Sequence, residues 1–402
     1  MRTLITGGSV LSMDPAVGDF ASGDVLIENG IITRVAAHID APDAEVIDAT
    51  ERIVMPGLID NHRHTWQTAL RGIGADWTFP DYRAAIHATL RPRYRPEDVY
   101  LGNLLGRLEA LHCGVTTMLD WFHCAEGPEH ADAAVAGLRD APGRSIFCYG
   151  ANYGHQGSVE AEIRRVHREL DDERGPVTMA FGLRGAEDTS IETVAAELKL
   201  AAELGLRTSV HIASDGTARP VDDLRRHGLL EASTTFVHAN GIADDELRML
   251  ADAGSSISIS PDVELKMGFG WPMTGRALAA GLRPTLSVDD TPAAAATSSP
   301  PCAPPTLSSE AWTAPYVPAT CWNSSPSTRR PPVGWRSAPA ASPRARTPIS
   351  SCCARTTSPC SRPPTQRPAS SPQATPASST RSWSRAARSS ATGRCWVSTC
   401  RH

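Results

Sequence analysis

Along the first fifty positions, apolar and polar residues alternate in runs too short for helices. The segments "TLITGGSVL", "GDVLIENGIITRVA" and "AEVIDAT" read as strands, and Asn29-Gly30 marks a hairpin turn between "DVLI" and "IITRVA". Residues 1–52 are thus expected to form a small β layer with its own turns. From Ile53 the period changes, and short β-rich runs alternate with long amphipathic stretches. The strands are "IVMPGLID", "GVTTMLDW", "RSIFCYG", "VTMAFGL", "RTSVHI", "TTFVHA", "SSISIS" and "RPTLSVD". Helical segments such as "PEDVYLGNLLGRLEAL", "SIETVAAELKLAAELG" and "DDELRMLADAG" lie between most of them, and the last two stop at glycine. Eight strands alternating with helices predict an α/β fold with a parallel sheet, and eight is the number that closes a (β/α)8, TIM-type barrel over residues 53–292. An open doubly wound sheet is the competing arrangement. It is disfavoured because no glycine-rich phosphate fingerprint follows the first strand.

Over residues 293–402 neither period survives. Stretches such as "ASPRARTPISSCCARTTSPCSRPPTQRPASSPQATPASSTRS" consist mostly of Ala, Arg, Pro, Ser, Thr and Cys. Charge divides the same way. From Thr291 onward there are 13 Arg and one acid, Glu310, so this part carries about +12, while the remainder carries 26 basic and 43 acidic residues, or −17. One reading is a disordered, basic, proline-rich tail. The sharper one is a shifted reading frame. The chain holds two lysines, Lys199 and Lys266, against 37 arginines, which points to a GC-rich gene, where a shifted frame seldom meets a stop codon. Codons permitted for "GWRSAPAASPRARTPISSCCARTTSPC", read one base back, allow "LEKRTGSLTPGKDADLVLLRTDDLAV", which has the turn, the acids and the alternating strand that the tail lacks. The slip is expected near residues 293 to 297.

No run of about eighteen apolar residues exists, so no membrane span is expected. The start "MRTLITGGSVLSMD" lacks the core of a signal peptide, and a cytoplasmic protein is expected. Seven of the ten cysteines lie in the tail and no Cys/His zinc spacing occurs; Cys113 and Cys148 read as buried fillers. The basic tail has no interleaved aromatics, so no nucleic-acid partner is expected.

Candidate chemistry sits at the strand ends. At the C-terminal mouth of such a barrel, side chains from several strands face one site. His62 and His64 follow the first strand, and their i, i+2 spacing turns both imidazoles the same way. His211 ends the fifth strand, His238 the sixth and Asp289 the eighth. Together these residue types suit one metal ion. Gln67 and Trp66 after the metal pair, Asp120, Trp121 and His123 after the second strand, and His155 after the third are weaker candidates for substrate contact. Glu264 and Met267 lie in the loop after the seventh strand, Glu264 to hold the loop and Met267 to pack.

These residues, with "VMPGLIDNHRH", "HTWQTALRG" and "SPDVELKMGFGWP", resemble the amidohydrolase superfamily, in particular its cytosine deaminase and chlorotriazine hydrolase branch. The resemblance covers roughly residues 1 to 290 and implies a (β/α)8 barrel beside a small β-sandwich built from both chain ends. It implies one divalent metal, zinc or alternatively iron, on His62, His64, His211 and Asp289. His238 would hold the attacking water or polarise a small-molecule substrate, and Asp289 would take the proton of that water. No lysine ends the fourth strand, "AFGLRG", so a bridging carboxylated lysine for a second ion has no candidate there. The chain departs from the pattern at one point: where aminohydrolases of this branch commonly place Glu three residues after the strand-five histidine, Ser214 stands. Ser214 is therefore carried as a substrate-side candidate, and ring deamination is put in question while metal-assisted hydrolysis is not. The implied activity is hydrolysis of a C–N bond in a cyclic or amidine-like molecule. Dechlorination or amide cleavage is the alternative, and a non-catalytic metal-binding descendant or an inactive truncated product is the remaining class. Assembly into a homo-oligomer is left open.

Overall fold

The first fifty residues fold as their alternation requires. Strands β1 (Arg2–Val10), β2 (Phe20–Glu28), β3 (Ile31–Ala36) and β4 (Glu45–Asp48) form one sheet in the order β3-β2-β1-β4, and β5 (Ile53–Val54) also pairs with β1. The computed structural model describes residues 1–170, 175–212 and 218–293; the expectations for the tail beyond residue 293 and for Ser214 lie outside these residues. Asn29 and Gly30 carry φ of 51° and 81°, the two left-handed positions of a tight hairpin, and bring Glu28 opposite Ile31. Neighbours on β1 face opposite sides. Leu4 packs with Leu26, Ile39 and Ala41, while Ile5 packs with Val25, Val10 and Ala49.

The run "IVMPGLID" is not one strand. Ile53–Val54 joins the N-terminal sheet, and the first barrel strand, β6, spans Leu58–Arg63. Pro56 has no N–H to give a ladder. At Gly57 an added Cβ would fall 2.2 Å from the Thr116 side chain, so the chain crosses there at close range.

The remaining barrel strands are β7 (Val115–Phe122), β8 (Arg144–Gly150), β9 (Val177–Leu183), β10 (Thr208–Ile212), β11 (Thr234–His238), β12 (Ser256–Ile259) and β13 (Thr285–Leu286). They lie side by side in chain order and pair parallel from β6 to β13. Helices including Pro96–His112, Ile191–Glu203 and Asp244–Asp252 separate them, as the 3.6-residue periodicity predicts. The ring closes at the candidate metal residues themselves. The Asp289 N–H donates to the His62 carbonyl at 3.0 Å, and the His64 N–H donates to the Asp289 carbonyl at 2.8 Å. Met118, Phe122, Phe147, Phe181 and Phe236 belong to the main core cluster of this sheet and its helices.

After β6 the chain makes a 3-10 turn, Thr65–Leu70, against the helix Pro96–His112. Two glycines of that helix permit the approach. A Cβ on Gly102 would lie 2.6 Å from the Trp66 carbonyl, and one on Gly106 would lie 2.5 Å from Thr68 Oγ1. A π-helical turn, Arg83–Leu90, follows a short helix at Phe79–Tyr82 and lies close to the mouth of the barrel. No helix among the described residues is long and apolar enough to cross a membrane.

Candidate metal centre and substrate cavity

Five strand-end side chains meet in one place. The imidazole of His62 lies 4.7 Å from that of His64, 4.8 Å from His211 and 5.6 Å from His238, centroid to centroid. Asp289 reaches into the group, with Oδ1 3.3 Å from Nε2 of both His62 and His64 and Oδ2 3.5 Å from Nε2 of His238. His62, His211 and His238 form one candidate ligand group and His62, His64 and Asp289 another, with ligand atoms within 4.8 Å of one another. The placement costs the backbone something. His238 and Asp289 have φ of 69° and 70°, a left-handed conformation that a Cβ disfavours.

Hydrogen bonds behind the ring set which nitrogens face inward. His64 Nδ1 donates to the Trp121 carbonyl at 2.6 Å, so its Nε2 is left with a lone pair toward Asp289. His238 Nδ1 bonds to Glu264 Oε1 at 3.3 Å, and the same carboxylate accepts from Ser260 N–H and from Asn240 Nδ2. His62 Nδ1 makes no hydrogen bond among the described residues, although the ring is fully buried. Burial holds His64 down to about 3, helped by the neighbouring His62, and pushes His211 and His123 well below the usual histidine range. For His238 burial works in the same direction, but the bond to Glu264 and the charge of Asp289 outweigh it and raise its pKa. Burial likewise opposes the charge on Asp289. The surrounding His62, His238 and His64 reverse that effect and hold the carboxyl at about 2.

Beside this cluster lies a cavity of about 160 Å³ lined by residues that include Trp121, His123, Tyr153, His155, Arg184 and His211. Trp121, His123 and His155, candidates for substrate contact from the sequence, line this cavity. Gln67 is not on the lining. It is fully buried and turned aside, donating from Nε2 to the Tyr82 hydroxyl at 2.6 Å. Asp120 is also off the lining, because its carboxylate accepts from the N–H and hydroxyl of Thr65 and from Asn103. Cys148 is buried, but Cys113 is only half-buried. Sequence reasoning missed Arg83, which lies 4.8 Å above the Tyr153 ring and lines the cavity. It also missed Trp66 as a partner of His123, and Glu264 as the partner of His238. Nothing in the spacing singles out Glu264 from the neighbouring Asp262, or Arg83 from the arginines around it.

A family model described as the amidohydrolase family matches residues 53–303. A 5-methylthioadenosine/S-adenosylhomocysteine deaminase of Symbiobacterium thermophilum is 28% identical over 285 residues, covering 67% of this chain and 65% of that protein. The deaminase of the same name from Pyrococcus furiosus is 29% identical over 285 residues, covering 66% of each. The chain thus spans about 65% of the length of these curated relatives. Among solved structures, an atrazine chlorohydrolase from Arthrobacter aurescens complexed with zinc superposes with a TM-score of 0.64 at 22% identity over 72% of each chain. An adenosine deaminase from Xanthomonas campestris with bound zinc superposes at 0.63 and 21% identity, over 72% of this chain and 70% of that one. At these identities what the two structures share with this chain is the fold.

Proposed function

The chain belongs to the amidohydrolase family, and we propose that it is a metal-dependent hydrolase that cleaves a C–N bond of a small cyclic or amidine-like molecule. The observation that carries this reading is the convergence of four imidazoles and a carboxylate from the ends of four strands, with the His62 ring buried at its centre. The donor set fits a divalent ion. His64 is locked with Nε2 unprotonated, the fully buried His62 has an Nδ1 without a partner among the described residues, and Asp289 is ionised. His62, His64, His211 and Asp289 would hold the ion, zinc by choice of ligands and ferrous iron as the other imidazole-compatible metal. When bound, such an ion lowers the pKa of a water to about 7 and so supplies a nucleophile at neutral pH.

The chain's own residues do the rest. Asp289 stays a carboxylate at neutral pH and accepts the proton that the nucleophile sheds. His238, held by Glu264 and with its pKa raised, directs Nε2 to the same place and in its imidazolium form donates to the oxygen that adds to the substrate carbon. Trp121 and His123 bound a cavity of about 160 Å³, of a size for a small planar ring. The leaving nitrogen takes its proton from Asp289 or His238, since position 214 offers a hydroxyl where the family pattern has a carboxylate. In this reading residues 53–292 are the catalytic unit, residues 1–52 are one half of a β-sandwich, and the enzyme is cytoplasmic.

The test is turnover of metal-loaded protein on a panel of aminopyrimidines, aminopurines and amino- or chlorotriazines. Ammonia release supports the proposal, and chloride release would move it to the dechlorinating branch. A folded, metal-loaded chain that releases neither would sink it.

A further inference from the structure

Trp66 and His123 stand 57 positions apart, and the fold joins them by one hydrogen bond, from Trp66 Nε1 to His123 Nδ1 at 3.1 Å. An indole N–H can only donate. His123 Nδ1 must therefore be the acceptor and carry no hydrogen. An imidazolium would set N–H against N–H at this contact, so the ring is neutral, and its single proton lies on Nε2. Turning the ring over would leave the indole N–H, on a side chain with no exposure, without its acceptor. Neighbouring rings hold the plane as well. His123 is stacked on His64 at 4.3 Å and 16°, and stands edge-on to His87 at 4.6 Å and to Trp121 at 5.2 Å.

His123 lines the cavity, and with Nδ1 engaged its remaining polar atom is Nε2, which makes no hydrogen bond among the described residues. We infer that His123 is a fixed hydrogen-bond donor to the substrate, presenting Nε2–H to an sp² acceptor, a ring nitrogen or a carbonyl oxygen, close to the reacting carbon. This rests on the hydrolase reading above and narrows it. Substrates must bear a lone pair at that point, and rings with C–H or N–H there are rejected. The histidine acts as a donor of fixed direction and not as a base, and Trp66, without touching substrate, is its positioning residue.

The tautomer is read directly by ¹⁵N NMR of the full-length, metal-loaded protein labelled at histidine, with the His123 signals assigned by their loss in His123→Gln. A neutral ring protonated on Nε2 is expected, with that preference relaxed in Trp66→Phe. A ring protonated on Nδ1, or an imidazolium, overturns the inference. On a panel compound that is turned over, His123→Gln keeps an N–H donor and should hold kcat/KM within about tenfold, whereas His123→Phe should lose roughly ten- to a hundredfold. Folding of both variants is checked by their dispersed spectra. A folded His123→Phe with unchanged kcat/KM would overturn the substrate contact even if the tautomer is as expected. If no panel compound turns over, the hydrolase reading fails and the substrate contact falls with it, while the tautomer result stands on its own.

Discussion

Glu264 Oε1 accepts a hydrogen bond from His238 Nδ1 at 3.3 Å, and the glutamate has no solvent exposure. Two further donors, the Ser260 N–H at 2.7 Å and Asn240 Nδ2 at 3.2 Å, converge on the same carboxylate. His238 Nδ1 therefore faces a carboxylate oxygen that already accepts from the Ser260 N–H, so Nδ1 is the donor and Nε2 is the atom turned toward Asp289. Glu264→Gln turns one oxygen into an NH₂ that meets these donors. We expect kcat to fall roughly 10- to 100-fold, as for other partners that orient an active-site imidazole. Metal content should be unchanged, and Glu264→Asp should fall in between. Wild-type kcat in a folded Glu264→Gln protein would remove Glu264 from the mechanism.

Metal removal tests the centre itself. Elemental analysis should find about one divalent ion per chain, and His62→Ala should lose it, because His62 belongs to both candidate ligand groups. An ion that binds only the folded state stabilises it, so a chelator should lower Tm and added zinc should restore it. A Tm indifferent to chelation, with no metal in the purified protein, would refute the site.

Much of this centre is legible in the sequence because strand ends are. A histidine pair with i, i+2 spacing, two more histidines and an aspartate each close a β-rich run, and barrel topology sends all of them to one mouth. What could not be read is the set of contacts made between loops. The bond from Trp66 to His123 and the stacking of Arg83 on Tyr153 join segments whose separation in sequence has no period. The opposite error arises from the same cause. Gln67 follows the metal pair and reads as a substrate contact, yet the 3-10 turn carries it to Tyr82, in a packing that Gly102 and Gly106 of a distant helix leave room for. The single strand expected over "IVMPGLID" fails for a local reason that was visible, the proline at position 56.

The tail gives a prediction at the level of the gene. If the frame slips near residues 293 to 297, a second read of the nucleotides there should gain or lose one base or two. The corrected frame should then encode lysines, acids and an alternating strand resembling "GSLTPGKDADLVLL". The corrected chain should also match its deaminase relatives over well more than 65% of their length. An unambiguous read in the present frame would make the arginine- and proline-rich segment a genuine part of the protein.

Asp120 makes stability depend on pH in a direction that can be worked out. Its carboxyl has no exposure, and burial pushes it up from 3.8 to about 6 despite bonds from Thr65 and Asn103. The folded state therefore holds the proton more tightly than the unfolded chain. The stability contributed by the protonated form is complete below about pH 4 and is lost as pH rises through about 6. At about 1.4 kcal/mol per unit, the whole effect is on the order of 3 kcal/mol. Asn103 Oδ1 has no partner among the described residues, so an amide flip would let it accept the proton of a neutral Asp120. Asp289, held at about 2, contributes in the opposite sense, and its stabilisation is lost only as pH falls from about 4 toward 2, outside this window. Urea unfolding from pH 4 to pH 7 should show stability declining across the interval. Asp120→Asn, whose Oδ1 can still accept from Thr65 and whose amide can donate to a flipped Asn103 Oδ1, should hold its stability across the interval, so the slope due to this residue should vanish. Equal slopes in the two proteins would mean that Asp120 is ionised across the whole interval, with its bonds to Thr65 and Asn103 outweighing the cost of burial.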